Sequence, residues 1–147
     1  WATDKITIED KSTQNNYHNS SNLVLTGNIQ FIVAFNNSST ISKIEYTFAN
    51  HWNDGDNGEA VTREEPYYND VPFSNKYLVV ADARQMIAIT VYDKEGTKLG
   101  SWEDSVESYC ARVISNASAT EAQKAVCTAC MKFSDAAEAY LEGGNRI

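Results

Sequence analysis

The sequence is short of the residues on which several classes of site depend. Its 147 residues include two histidines, three cysteines and twelve basic residues against twenty acidic ones. A nucleophilic triad needs a histidine beside a nucleophile signature such as G-x-S-x-G, and neither histidine has one nearby. A net charge of −8 repels nucleic acid and anionic lipid, whose binding depends largely on Lys and Arg. We therefore predict a protein that is not an enzyme, holds no cofactor or metal, and binds no nucleic acid.

Long apolar runs are also missing. No stretch approaches the roughly 18 consecutive apolar residues of a transmembrane helix, so we predict no membrane insertion. The chain begins at Trp1 without a signal-peptide pattern, which suggests a piece of a longer precursor. Its length fits one domain, and its 42% of hydrophobic residues is typical of a globular protein.

Residues 1–102 have the composition and period of β-strands. They are rich in Asn, Ser, Thr, Tyr and β-branched residues, and they contain both prolines. Ile29–Phe35 is apolar on both faces, and Ile44–Phe48 alternates apolar and polar residues. Met86–Asp93 is joined to Thr97–Trp102 by a turn that contains Gly96, which is typical of a hairpin. These patterns predict a β-sandwich of six or seven short strands.

Residues 103–147 change to a helical period and contain no proline. The segments 104–107 and 118–121 each resemble a capping box, and Gly143-Gly144 is a stop signal. The second helix carries a row of apolar residues with 4-3 spacing: Ala122, Val126, Ala129, Phe133, Ala136 and Tyr140. We predict a mainly β fold with C-terminal α, in which an αα-hairpin packs on the sandwich as one compact unit. The alanine-rich row is expected to be the seam between the two helices.

The three cysteines all lie in the helical part. Cys127 and Cys130 match C-x-x-C, but they lie inside a helix, whereas the redox motif stands at a helix N-terminus. An antiparallel hairpin brings Cys110 level with Cys127, so a Cys110–Cys127 disulfide is one interpretation. Three reduced core cysteines are the alternative.

Three C-terminal stretches resemble a known type of module. They are YLVVADARQMIAITVYD at 77–93, SVESYCARVI at 105–114 and KAVCTACMKFSDAAEAYL at 124–141. In order and spacing they are similar to an accessory module of secreted and surface proteins of gut Clostridia, including ruminococci, although Lys132-Phe133-Ser134 stands where that family usually has N-Y-G. The resemblance implies an extracellular, secreted or cell-surface module of a Gram-positive bacterium. It also implies a monomeric unit within a larger chain, with no catalytic residues to carry over.

Aromatic residues in polar segments are the candidate ligand-binding residues: Tyr17, His51, Trp52, Tyr67 and Tyr68. Sugar rings stack on Trp and Tyr, and the same side chains offer large contact areas to proteins. Packing against the core is the alternative for each. The other histidine, His18, lies in an Asn/Ser-rich stretch that we interpret as a solvated loop, and Trp102 is expected to pack at the junction with the helices.

The acidic segment Asp54–Glu59 superficially resembles a calcium loop. Counted from Asp54, Gly58 falls at position five, whereas the EF-hand pattern requires Gly at position six, so the match fails. A turn between two strands is the favoured interpretation of this segment, and a bound calcium ion is the alternative. The leading hypothesis for the chain is non-catalytic binding of a dietary polysaccharide or host glycan. A protein-binding adhesin module, engaging a host secreted protein such as immunoglobulin, is the alternative, and a structural spacer is the third.

Overall fold

The fold is a β-sandwich followed by a pair of helices, as the sequence predicts. The structure, a computed structural model, describes residues 6–25, 29–49, 60–68, 72–75 and 78–143. In these ranges the strands are β1 (His18–Leu25), β2 (Ile29–Phe35), β3 (Lys43–Ala49), β4 (Ala60–Pro66), β5 (Phe73–Asn75), β6 (Ile87–Tyr92) and β7 (Lys98–Asp104). The helices are α1 (Val106–Ser115) and α2 (Glu121–Glu142), and single 3-10 turns occupy Ser38–Thr40 and Val80–Asp82.

Two antiparallel sheets enclose the core. One has the strand order β1-β2-β5 and the other β4-β3-β6-β7. Alternate residues of β2 and β6 are buried, as the period-two pattern of each strand requires. Tyr46 of β3 and Phe73 of β5 meet across the two sheets with their ring centroids 4.6 Å apart. The sheets therefore pack face to face through interleaved apolar side chains.

Strand β1 was not predicted, because its residues read as a solvated loop. Every residue from His18 to Leu25 except Asn19 has a partner in the register with β2, where a bulge falls between His18 and Ser20. Asn and Ser have low strand propensity, but β2 offers a long apolar neighbour to pair with, and tertiary pairing overrides propensity. The opposite difference occurs at Tyr77–Ala81, whose apolar and β-branched residues predict a further strand from sequence. In the described residues from 78 onward, the chain forms a 3-10 turn at Val80–Asp82.

The helix starts differ from the predicted capping boxes by one and two residues. Helix α1 is capped by Ser105, whose hydroxyl accepts a hydrogen bond from the Ser108 backbone N–H at 2.9 Å. Helix α2 is capped by Thr120, which forms a reciprocal capping box with Gln123. Gly143 ends α2, as predicted. Both shifts leave the number and order of the helices unchanged.

Helix α2 buries a different face from the predicted seam, turned from it by roughly a third of a revolution about the helix axis. Cys127, Cys130, Met131 and Ser134 are buried against the rest of the molecule. The row expected to pack on α1 faces outward instead, and its large members are exposed: Val126 by 52%, Phe133 by 62% and Tyr140 by 43%. Both rows follow a helical period, so the period alone does not tell which row is packed against the rest of the molecule.

Two buried carboxylates join the sandwich to the helices. Asp104, at the end of β7, accepts hydrogen bonds from both Nη atoms of Arg112 at 3.1 and 2.7 Å. Glu107, in the first turn of α1, accepts one from Arg84 Nη1 at 2.7 Å. Arg84 also holds Asp135 of α2 through two hydrogen bonds of 2.8 and 2.9 Å. Each buried charge thus has an opposite charge and hydrogen bonds, which its burial requires.

The observed face of α2 predicts contrasting effects for two neighbouring truncations. Met131→Ala should lower the free energy of unfolding by about 2–5 kcal/mol, because it opens a cavity in the core. Phe133→Ala should change it by less than about 1 kcal/mol, because this ring is largely exposed. Urea unfolding of both variants at low protein concentration measures the difference. A larger loss at Phe133 would show that the row predicted from sequence is the packed one.

Candidate functional site

A polar cleft lies between β1 and α1. It has a volume of about 350 Å³, within the range of cavities that hold small ligands. All of its lining residues except Val113 carry a polar side-chain group, and they are Ser12, Gln14, His18, Asn19, Ser20, Ser21, Tyr109, Arg112, Val113 and Asn116. We refer to this cavity as the polar cleft.

Three elements build the cleft. The start of β1 supplies one wall, from His18 to Ser21. Helix α1 supplies the other wall through Tyr109, Arg112 and Val113, which share a face because they are three and four residues apart. The segment before β1 closes one side, where the hydroxyl of Ser12 accepts a hydrogen bond from Arg112 Nη1 at 3.0 Å.

A network of charged and hydroxyl groups forms the floor. The Ser21 hydroxyl donates to Asp104 Oδ2 at 2.7 Å and lies 2.8 Å from His18 Nε2. Serine has one hydroxyl proton, and Ser21 uses it in the hydrogen bond to Asp104. The His18 ring must therefore donate its Nε2–H to the Ser21 oxygen. In a nucleophilic triad the histidine accepts the serine proton instead. The network therefore orients His18 as a donor and holds Ser21 in place.

His18 is half-buried, and the prediction of an exposed loop histidine is wrong. Its ring stacks on Trp102 with the centroids 5.4 Å apart, while Trp102 is 2% exposed and packs as predicted. Burial lowers the pKa of His18 from its ordinary value, although the Asp104 carboxylate opposes the shift. The ring is therefore neutral at pH 7, and strand formation by the surrounding residues explains why the sequence pattern missed it.

Some polar groups of the cleft stay open to a ligand. Gln14 and Ser20 are exposed, and neither side chain makes a hydrogen bond to another residue that the structure describes. Asn116 uses its Oδ1 to accept from the Ser118 backbone N–H at 2.9 Å, which leaves its amide N–H₂. Tyr109 adds a half-buried ring. Donors, acceptors and an apolar ring face are thus close together.

The structure places the predicted tyrosines at one end of the sandwich. The Tyr17 carbonyl accepts from the Asn36 backbone N–H at 2.9 Å, and the half-buried Tyr67 packs edge-on against Phe35 with the centroids 5.2 Å apart. Tyr68 alone of these tyrosines is fully in solvent, with 72% exposure. Tyr17 and Tyr67 therefore contribute to packing, and Tyr68 has a free aromatic face.

His51, Trp52 and the acidic segment Asp54–Glu59 lie outside the described residues. Ala49 and Ala60, the nearest described residues on either side, pair at one end of the β3–β4 ladder. Tyr67 follows the other end of that ladder, where Pro66 pairs with Lys43. Within the ranges that the structure describes, no group of three or more His, Cys, Asp or Glu side chains could hold a metal ion.

The three cysteines are buried thiols in this structure. The Cys110 and Cys127 thiols are close enough to influence each other's pKa, so the helical hairpin does bring these two side chains together. Burial raises the pKa of all three thiols, which keeps them protonated and unreactive in the folded state. The Cys110–Cys127 disulfide stays a prediction.

Comparisons with known proteins give no match. No family model, no curated protein and no solved structure matches it. The described helices include none that is long and apolar enough to cross a membrane.

The burial of His18 predicts a pH dependence of stability. Since the pKa of His18 is lower in the folded state, the unfolded chain binds a proton first as the pH falls through 6.5, and the free energy of unfolding decreases. His18→Gln removes this proton uptake and should make the loss between pH 7 and about pH 5 smaller. Urea unfolding at several pH values measures the slope. His51→Gln is the matched comparison, and a flattened slope in that variant alone would contradict the assignment.

The cysteine geometry predicts one specific bridge. Oxidation during refolding, before burial protects the thiols, should join Cys110 to Cys127 and raise the free energy of unfolding by about 3 kcal/mol, the value for a closed loop of roughly 15 residues. Alkylation in denaturant followed by mass spectrometry should then label Cys130 alone. Cys110→Ala is the control, since it cannot form this bridge. Labelling of all three cysteines after oxidation would show that the thiols remain reduced.

Proposed function

We propose that this chain is a non-catalytic carbohydrate-binding module of a secreted or cell-surface bacterial protein, and that the polar cleft is its binding site. One observation supports the proposal most strongly. The cleft combines uncommitted amide and hydroxyl groups with a tyrosine ring, and its positive charge is already neutralised. Sugar hydroxyls need both donors and acceptors, while the C–H faces of a sugar ring pack on aromatic surfaces.

The charge balance of the cleft argues against an anionic ligand. Arg112 is held by Asp104, which is fully buried, and it also lies 3.4 Å from Asp10. The burial of His18 disfavours its charged form. A phosphate or carboxylate would therefore have to compete with Asp104 and Asp10 for the same guanidinium group. A neutral, hydroxyl-rich ligand meets no such competition.

Tyr68 offers a second location for the same function. It is the exposed member of the aromatic set predicted from sequence, and a sugar can stack on a single free ring. The cleft, in contrast, combines the Tyr109 ring with exposed amide and hydroxyl side chains. We therefore place the site in the cleft and use Tyr68 as the rival location in the test.

The proposal predicts that cleft side chains carry the affinity for a glycan. The double substitution Gln14→Ala with Ser20→Ala should weaken binding at least about fivefold, since each hydrogen bond contributes about 0.5–1.5 kcal/mol. Binding is measured by retardation in native gels cast with soluble polysaccharides, followed by calorimetry with the retained glycan. Thr97→Ala, an exposed change in the β6–β7 turn, is the neutral control.

Each other outcome changes a stated part of the proposal. Loss of binding in Tyr68→Ala, with the cleft variant unaffected, would move the site to the tyrosine. Retention only by a secreted glycoprotein such as immunoglobulin, insensitive to free sugars, would replace the carbohydrate ligand with a protein and make the chain an adhesin module. No retention by any glycan or glycoprotein would leave the chain as a structural spacer.

A further inference from the structure

The outward row of α2 forms a continuous apolar surface. It consists of Ala122, Val126, Ala129, Phe133, Ala136 and Tyr140, and we call it the α2 seam. All six residues are exposed. A cavity of about 440 Å³ runs beside it, with Leu25, Val126 and Phe133 among its lining residues. A helix face that only meets water normally carries polar residues, so this face has the composition of a packing surface.

The spacing of the seam is that of a coiled coil. Its steps of four and three residues place Val126, Phe133 and Tyr140 at the a positions of a heptad, and Ala122, Ala129 and Ala136 at the d positions. Large and small residues therefore alternate along the whole row. Such a row packs best on a surface with the opposite order, where each large side chain meets a small one.

We propose that the α2 seam is the interface of a homodimer in which two α2 helices pack antiparallel. If Met131 marks the two-fold axis, each seam residue faces the residue equally far on its other side. Val126 then faces Ala136 of the second copy, Phe133 faces Ala129, and Tyr140 faces Ala122. All six pairs join a large residue to alanine. The row is thus complementary to its own reverse, which is the requirement of a two-fold symmetric interface.

A parallel pair lacks this fit. In a parallel coiled coil each a position faces the same a position, so Phe133 would meet Phe133 and Ala129 would meet Ala129. The three large layers would hold the helices apart, and the three alanine layers would leave voids between them. The order of residues therefore selects the antiparallel arrangement.

The distribution of charge on α2 also fits an interface. Of the a, d, e and g positions between 122 and 140, only Lys132 is charged, and most of the others are alanine. The remaining charged residues of the helix are at c and f positions: Glu121, Lys124, Asp135, Glu138 and Glu142. Interface cores are depleted of charged residues in this way. Antiparallel packing also sets the N-terminus of each helix dipole beside the C-terminus of the other.

The size of the seam predicts a weak dimer. Nineteen residues from Ala122 to Tyr140 span about 27 Å, and with a helix diameter of about 10 Å the face covers roughly 270 Å² in projection. Stable interfaces bury about 800 Å² on each partner. The charge of −8 on each copy opposes association further. We therefore expect a reversible dimer that becomes tighter as salt screens this repulsion.

Sedimentation of the purified domain over a wide concentration range tests the proposal. The wild type should show a monomer–dimer equilibrium, and Phe133→Glu should raise the dimer dissociation constant at least about tenfold because it places an unpaired carboxylate in a dry seam. Thr97→Glu adds the same charge to a distant exposed turn and should leave the constant within about twofold. Circular dichroism should show both variants folded, since Phe133 is largely exposed.

Cross-linking tests the orientation independently. Ala122→Cys and Tyr140→Cys variants, one of them tagged, should form a disulfide with each other when mixed and oxidised, while Ala122→Cys alone should form none with itself. Self-linking of Ala122→Cys would overturn the antiparallel pairing. A monomer at every concentration would overturn the homodimer. If that monomer were retained on a glycoprotein and Phe133→Glu abolished the retention, the seam would belong to a partner protein.

Discussion

The structure depends on a pair of buried carboxylates at the junction of the sandwich with the helices. Asp104 ties β7 to α1 through Arg112 and to β1 through the Ser21 hydroxyl. Glu107 accepts the Glu9 backbone N–H at 3.0 Å and binds Arg84, whose other nitrogen atoms hold Asp135 of α2. Burying two carboxylates is costly unless charge and hydrogen bonds compensate them, so each of these contacts becomes obligatory once the junction folds. The N-terminal segment, the edge strand and both helices are thereby fixed to one point.

The junction also fixes the shape of the polar cleft. Arg112 forms part of its wall, and its guanidinium group cannot swing toward solvent without leaving Asp104 unpaired in the interior. Ser21 is held from the same carboxylate, and His18 is held in turn by Ser21 and by the face of Trp102. The walls of the cleft are therefore ordered before a ligand binds, so binding does not carry the entropic cost of ordering these side chains. This favours binding through the few side chains whose polar groups remain free. The polar cleft thus lies on the edge strand β1 and on α1 rather than on loops alone.

Local sequence patterns predict the elements of this molecule whose form depends on their own residues. The two-faced run of β2 and the glycine of the β6–β7 hairpin, where Gly96 has φ of +82°, depend on local sequence and are predicted well. Strand β1 is not predictable, because its Asn and Ser residues form a strand only through pairing with β2. The burial of His18 depends on stacking with Trp102, which is distant in sequence, so no local pattern predicts it. On α2 two rows share the helical period, and the choice between them depends on the shape of the surface that receives the helix rather than on α2 itself.

The presence of two apolar rows on α2, of which only one is buried, has a physical consequence. A row with heptad spacing, alternating sizes and little charge has the properties of a core face, yet the fold buries a different face of α2. Selection against aggregation normally removes such rows from exposed helices, so its persistence favours an interface over an accident of composition. A weak dimer would also suit the carbohydrate-binding role proposed for the polar cleft. Two clefts on one particle convert the second binding event into an intramolecular one, so avidity on a repetitive glycan exceeds the affinity of either site without a new contact. In that case the cleft would set the affinity of each site, and the α2 seam would lengthen the residence time of the dimer on a repetitive glycan.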